Sequence, residues 1–286
     1  MAIGDFHLHS TASDGVHTPT WLMETAAAKG IRSLSLTDHD STEGLAEARD
    51  AADRLGLRLV PGLELSTDFG KSDVHLLAFG MDIGSRHLQE FLRTMREGRI
   101  GRVIRIVEIL KEVGAPIELS RVLEIAGDAT VGRPHVALAL LERGHITSVQ
   151  EAFDRWLGNG KVADVERPKQ SPEESIKTVH DNGGLVFVAH PVFISDDYPT
   201  VVEQLAAWGA DGVETYYKHY DAPTVTLHRE LADRLGVATS GGSDYHGLGN
   251  PDDREMGDIP FPDEEVHRFV AYLEHQGVDT GLKGNS

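Results

Sequence analysis

Short apolar runs recur along this chain, and the polar residues at their ends come from one chemical set: histidine, aspartate and glutamate. The first run, residues 3–8, carries Asp5 and His7 and leads through His9 to Asp14. Thr37-Asp38-His39 closes the run at 31–36, Glu64 ends the run at 57–65, His190 follows 185–189, and Asp244-Tyr245-His246 follows 237–240. Helical spacing separates these runs, at 21–29, 43–55, 201–208, 224–235 and 263–276, and a further strand is expected at 212–217. Thr18 is placed to cap the first helix, with Pro19 in its first turn and Gly30 as its stop. Alternation of this kind predicts an α/β barrel of about seven largely parallel strands rather than an open sheet. Such barrels carry their chemistry where strands end and loops begin, and that is where the histidines and acids fall.

A chain of 286 residues with 40% hydrophobic composition can bury a large core. Cysteine is absent, so neither a disulfide scaffold nor a thiolate metal ligand is available. No run approaches the ~18 apolar residues of a membrane helix. The start Met1-Ala2-Ile3-Gly4-Asp5 lacks a basic flank and an apolar core, which predicts a cytoplasmic protein. A formal charge of -19 argues against long nucleic acid as a partner, because phosphate contacts there need clustered Lys and Arg. A small phosphorylated substrate is compatible with it, since bound divalent ions would invert the local field. No obligate protein partner is implied.

Between the two halves lies a stretch without strand character. Helices are expected at 90–113, 119–126, 134–143 and 149–157, with Gly114-Ala115-Pro116 and Gly158-Asn159-Gly160 at the joints. This predicts a barrel formed by residues 1–97 and 166–286, interrupted by a helical subdomain at 98–165.

His75 stands apart, because it begins the run 76–79 and would lie at the wrong end of a parallel strand. An antiparallel hairpin turning at Phe69-Gly70-Lys71 removes the conflict, and a register pairing Thr67 with Ser72 and Glu64 with His75 would set the two side by side. Taken singly, each polar residue has a blander reading: Asp38 or Asp40 as a helix cap, Glu64 as a surface residue, Asp244 as a turn residue, His190 as a core histidine. Structural needs that act independently would not put His or acid at so many strand ends. Neutral imidazole and carboxylate together suit Zn, Mn or Fe.

These residues also resemble a known family. Asp5-Phe6-His7-Leu8-His9-Ser10, Thr37-Asp38-His39, Gly62-Leu63-Glu64, Val74-His75, Ala189-His190-Pro191 and Gly242-Ser243-Asp244-Tyr245-His246 look like the successive motifs of the polymerase and histidinol phosphatase (PHP) family of metallohydrolases. The resemblance implies a distorted seven-stranded TIM-like barrel, the PHP fold, around a trinuclear site for divalent ions, with Mn as the first expectation and Zn or Fe as alternatives. It assigns His7, His9, Glu64 and Asp244 to one ion. Glu64 bridges to a second held by His75 and His190, and Asp14, His39 and His246 hold the third. Asp5 and Asp38 are expected behind these ligands, orienting imidazoles.

Chemistry follows from that assignment. Attack by a metal-bound hydroxide on a phosphate ester is the expected reaction, and no Walker loop or Gly-x-Ser-x-Gly elbow offers another. Short members of the family with an insertion in this place resemble phosphatases of 3',5'-nucleoside bisphosphates, releasing the 3'-phosphate. The alternatives are a 5'-to-3' exonuclease on short RNA and a non-catalytic, metal-stabilised accessory domain. In the insertion, Arg99 and Arg102 lie three residues apart on a helix, and Arg133 and His135 stand at the start of another. All four are expected to bind the phosphate that is not cleaved.

Overall fold

The computed structural model describes residues 1–70, 72–127, 129–158, 160–165, 170–194, 197–249 and 255–281. Lys71 and Asn159, two expected turn residues, and position 166, the expected end of the insertion, lie outside these residues.

Seven strands form one sheet in chain order: β1 (Gly4–Asp5), β2 (Ser33–Leu36), β3 (Arg58–Phe69), β4 (Ser72–Phe79), β5 (Leu185–Val188), β6 (Gly212–Tyr217) and β7 (Ala238–Gly242). Neighbours run parallel except β4, which is antiparallel to both β3 and β5. The sheet curls until its edges meet: Phe6 N–H donates to Gly241 O at 3.1 Å, and Leu8 bridges in parallel to Tyr245. The result is a distorted, nearly closed seven-stranded barrel, as the family resemblance implied. Reversal of β4 brings its first residues to the end of the barrel where the parallel strands finish, so His75 reaches the same mouth as His39 and His190.

The expected register is corrected by two residues. His75 pairs with Ser66, Thr67 with Val74 and Phe69 with Ser72, while Glu64 pairs with Leu77. A shift of two preserves side-chain parity, so Glu64 and His75 still share a face and meet along the diagonal.

Helices cover the outside. In α1 (Pro19–Lys29) Thr18 Oγ1 accepts from Trp21 N–H, and Gly30 ends the helix at φ 84°. There and in α2 (Leu45–Leu55) small residues face inward, Ala26 in the first and Ala48, Ala51 and Ala52 in the second, which lets both helices lie close to β2 and β3. At the far end of the barrel from the mouth, Phe6, Phe79 and Phe187 meet Phe269 of α10 (Asp263–His275) edge to face, with centroids 4.7–5.5 Å apart.

Helix α3 (Arg86–Glu112) crosses position 98 without a break. Its first half packs Leu88, Leu92 and Met95 against the barrel. From Val103 onward it joins a separate apolar cluster with α4 (Leu119–Ala126), α5 (Arg133–Glu142) and α6 (Val149–Ala152). Where one helix was expected over 149–157, α6 passes into a π-helical turn at Phe153–Leu157. The helix α7 (Pro172–Asp181) was not anticipated, and it is followed by α8 (Tyr198–Ala207) and α9 (Ala222–Leu235). No described helix is long and apolar enough to cross a membrane.

Closure depends on Gly242, because a Cβ there would lie 2.1 Å from His7 Cβ and 2.6 Å from the His7 nitrogen. Backbone on both sides leaves no flexible group to give way. Gly242→Ala is therefore expected to cost about 1–3 kcal/mol or more, read as a lower urea midpoint with an unchanged slope. A midpoint equal to that of the wild type would mean that the seam is not closed in solution.

Candidate metal centre

Alternation along β1 and its extension turns His7 and His9 to the barrel interior while Leu8 faces the α1 and α2 layer. His7 Nε2 lies 3.3 Å from Glu64 Oε2 and 3.4 Å from Asp244 Oδ1. His9 Nε2 lies 3.1 and 3.2 Å from the same two oxygens. The other oxygen of Glu64 is 2.9 Å from His75 Nδ1 and 3.1 Å from His190 Nε2. Asp14 Oδ1 sits 3.3 Å from His246 Nε2, and its Oδ2 3.8 Å from His39 Nε2. His39 also presents Nδ1 to Glu64 Oε2 at 3.1 Å.

All nine expected ligand residues thus converge on one mouth. Among the described residues eight of them form overlapping groups able to hold an ion: His7, His9, Glu64 and Asp244; His9, Asp14, His39 and His246; and His39, Glu64 and His75, where His39 takes the place expected for His190. His9 and His39 each border two groups, which the division by family resemblance did not include.

The donor set fits divalent cations. His7 Nε2, both nitrogens of His9, His39 Nδ1, Asp14 Oδ1 and Glu64 Oε2 are buried without a hydrogen-bond partner among the described residues. Orphaned polar atoms of that number in one place are costly unless something binds them. Burial would raise the carboxyls of Glu64, Asp14 and Asp244, yet the surrounding histidines, and Lys218 beside Asp244, hold all three well below the usual range. They are therefore ionised, concentrating negative charge where an ion would sit. His39 is pushed down to about 3 by burial, leaving a neutral ring with one nitrogen lone pair to offer.

Backbone strain is concentrated here. Among the described residues the non-glycine positions with positive φ are Asp40 (49°), His190 (26°) and Asp244 (48°), all at the mouth. Each costs on the order of 1–3 kcal/mol and persists only where neighbours over-determine it. Asp40 is pinned by Arg99 Nε at 2.6 Å and Ser66 N–H at 3.0 Å. Asp244 is pinned by Tyr217 Oη, donating to Oδ2 at 2.8 Å, and by Lys218 Nζ, donating to its carbonyl at 2.8 Å.

Two expected roles are corrected. Asp5 accepts from the backbone N–H of Ser243 at 2.8 Å, Gly257 at 2.9 Å and His7 at 3.4 Å, and Asp38 accepts from Ser10 and Ser13. Their hydrogen bonds tie loops together instead of orienting imidazoles. Behind His7 stands instead Glu214 of β6, which sequence reasoning missed. Its Oε1 lies 2.9 Å from His7 Nδ1, and its Oε2 accepts from His190 N–H at 2.7 Å. A lone acid within the otherwise uncharged run Gly-Val-Glu-Thr-Tyr-Tyr was the signal available, and the structure buries it fully.

Arg99, Arg102 and Arg133 line a cavity whose other wall is Asp14, His39, Ser66, Asp73 and His75. Arg102 is lowered to about 10, chiefly by burial and then by Arg133, and stays charged at neutral pH. His135 is corrected: it is buried, its Nδ1 accepts from Gly132 N–H at 3.0 Å, and burial lowers its pKa, so it caps its own helix as a neutral ring.

Comparison with known proteins gives this arrangement a family. The PHP domain model matches residues 5–159. A 3',5'-nucleoside bisphosphate phosphatase of Chromobacterium violaceum is 32% identical over 91% of this chain and 93% of its own length. A 5'-3' exoribonuclease of Haemophilus influenzae is 32% identical over 85% and 89%. A phosphoribosyl 1,2-cyclic phosphate 1,2-diphosphodiesterase of Eggerthella lenta is 32% identical over 86% and 94%. Among solved structures, an amidohydrolase from Chromobacterium violaceum with bound sulfate and no metal superimposes with a TM-score of 0.88 at 28% identity, covering 99% of both chains. A model matching more than half of the sequence, and relatives that align along most of their own length, make this chain a member of the PHP domain family.

Proposed function

We propose that this metal-dependent phosphoesterase removes the 3'-phosphate from 3',5'-nucleoside bisphosphates, leaving a 5'-nucleotide. The observation that carries the reading is the cavity lined by Arg99, Arg102 and Arg133, which opens directly beside His39, His75 and Asp14. A substrate with two phosphates separated by one ribose can place one at the histidine and carboxylate cluster and the other against these guanidinium groups. A relative aligned over 91% of this chain carries that activity in its name.

In this reading three divalent ions, Mn first among them, would be held by His7, His9, Glu64 and Asp244, by Glu64, His75 and His190, and by Asp14, His39 and His246. Bound there, such ions supply a deprotonated water near neutral pH and neutralise phosphate charge. The protein does the rest by placement. Tyr217 and Lys218 hold Asp244 inward, Ser66 and Asp40 aim Arg99 into the cavity, and Arg102 offers an Nε with no hydrogen-bond partner among the described residues.

A second reading, 5'-to-3' exonuclease action on short RNA, is favoured by the Haemophilus influenzae relative. The enclosing arginines suit a terminal phosphate in either case, so substrate length separates the two. A net charge of -19 keeps long nucleic acid and polyanionic partners outside both readings.

Four substrates decide among these: a 3',5'-bisphosphate, a 5'-phosphorylated short RNA, a mononucleotide and a cyclic phosphodiester. The bisphosphate is expected to give the highest kcat/KM, with oxygen-18 from solvent water in the released phosphate. Preference for RNA by tenfold or more would transfer the assignment to the exonuclease. Arg102→Ala is expected to lower kcat/KM on the bisphosphate ~10-fold or more, about 1.4 kcal/mol of transition-state binding, with little change on a monophosphate. Equal losses on both would remove the second-phosphate role. Elemental analysis after purification with Mn is expected to approach three ions per chain, and one or fewer would sink the trinuclear assignment.

A further inference from the structure

Phe193 is 56% exposed, and among the large apolar side chains of the described residues only Met1 is more so. An isolated exposed phenylalanine needs no explanation. This one lines the cleft formed by His75, His190, Tyr217, Asp244 and His246, at the mouth of the cluster. It is also held in place. Pro191 opens the single 3-10 turn Pro191–Phe193, Phe193 N–H donates to His190 O at 3.1 Å, and the ring meets His190 and Tyr217 at 5.7 Å with interplanar angles of 60° and 72°. Those edge-on contacts fix the ring while none of them stacks flat upon it. Phe153 lines the same cleft and the arginine cavity, with the Arg133 guanidinium 5.9 Å from its centroid.

The cleft therefore offers cations and metal-binding groups for phosphate and two aromatic rings for something else. A bare sugar phosphate has no flat apolar face to meet them; a nucleobase does. We propose that Phe193 is the stacking surface for the nucleobase of the substrate, with Phe153 as a second wall, an inference that rests on the nucleotide reading above. Base-aromatic stacks are worth on the order of a tenfold effect or more in binding and tolerate any base, so the site would select for a base without selecting which one.

The test compares a nucleoside 3',5'-bisphosphate with its base-free 1-deoxyribose counterpart. Phe193→Ala is expected to lower kcat/KM about tenfold on the first and to leave the second unchanged, with Phe193→Trp restoring activity. In parallel, 2-aminopurine riboside 5'-phosphate, whose fluorescence is quenched by stacking, is titrated with zinc-loaded protein, and quenching is expected with the wild type and the Trp variant but not with the Ala variant. Equal kinetic losses on both substrates, or undiminished quenching by Phe193→Ala, would overturn the subsite. Quenching that depends on Phe193 in a protein that cleaves no 3'-phosphate would uphold the subsite and reject the bisphosphate assignment.

A separate observation carries a second inference. Glu214 is fully buried, and its two oxygens engage two different ligand-bearing segments: the His7 ring at 2.9 Å and the His190 backbone N–H at 2.7 Å. A carboxylate only accepts, so the bond to His7 requires a proton on Nδ1 and leaves Nε2 to face Glu64 and Asp244. The geometry points to Glu214 as a positioning residue that fixes the His7 tautomer and the left-handed backbone of His190 together. Glu214→Gln preserves shape but can no longer accept at both ends. Its metal affinity is expected to fall about 10- to 100-fold by calorimetry while the metal-free protein melts within a few degrees of the wild type. In the zinc-loaded wild type, nitrogen-15 NMR is expected to show the His7 proton on Nδ1. Affinity equal to the wild type in the Gln variant, or a His7 proton on Nε2, would refute the role.

Discussion

The mouth of this barrel is organised by one buried carboxylate, that of Glu64. Its Oε2 faces His7, His9 and His39, and its Oε1 faces His75 and His190, all within 3.3 Å. A charge taken so far from water is expensive unless it is compensated, and one carboxylate among five imidazoles can be compensated by shared protons or by cations. The arrangement of strands follows from this need. Parallel strands bring His39 and His190 to the mouth, and only a strand running the other way brings His75 there from its own first residues. Reversal of β4, which interrupts an otherwise parallel barrel, gives Glu64 its partner at 2.9 Å.

Much of this was legible in the chain. Strand parity places Asp5, His7 and His9 on one face, and apolar runs ending in His or acid mark the mouth in the sequence itself. What escaped has identifiable causes. Hairpin register is a matter of turn geometry, and the two-residue error over 64–75 survived because it leaves parity intact. Asp5 and Asp38 had the right chemistry to orient imidazoles, but backbone amides and serine hydroxyls lay nearer. His135 had the right position at a helix start, and burial turned it into a cap. Helix α7 carries its start signal in Ser171-Pro172-Glu173-Glu174, with Ser171 accepting from Glu174 N–H, and that local cap is not accompanied by a long apolar run. Glu214 was hidden differently: an acid within a strand reads as a solvent-facing residue until the barrel closes around it.

Strain and compensation are joined at the same place. The left-handed backbone at Asp40, His190 and Asp244 would relax if its anchors were lost. Each anchor is also a residue of the site: Arg99 for Asp40, Glu214 for His190, Tyr217 and Lys218 for Asp244. Loops at the mouth therefore hold their geometry only while the surrounding charge network is complete, which links the arginine-lined cavity to the histidine and carboxylate cluster through shared side chains.

That link is most direct along α3. One unbroken helix packs its first half on the barrel and its second half in the apolar cluster of the neighbouring helices, and Arg99 and Arg102 fall between the two. Arg99 reaches back to Asp40 and Ser66, while Arg102 reaches across to Asp164 at 3.6 Å. The cavity wall is thus made from both sides of the seam, with Arg133 and Phe153 contributed by the helical cluster and Asp14, His39 and His75 by the barrel. On the reading proposed above, a ribose carrying two phosphates would reach from the guanidinium groups to the ligand cluster, and a longer chain would leave past Phe193, which lines the adjoining cleft.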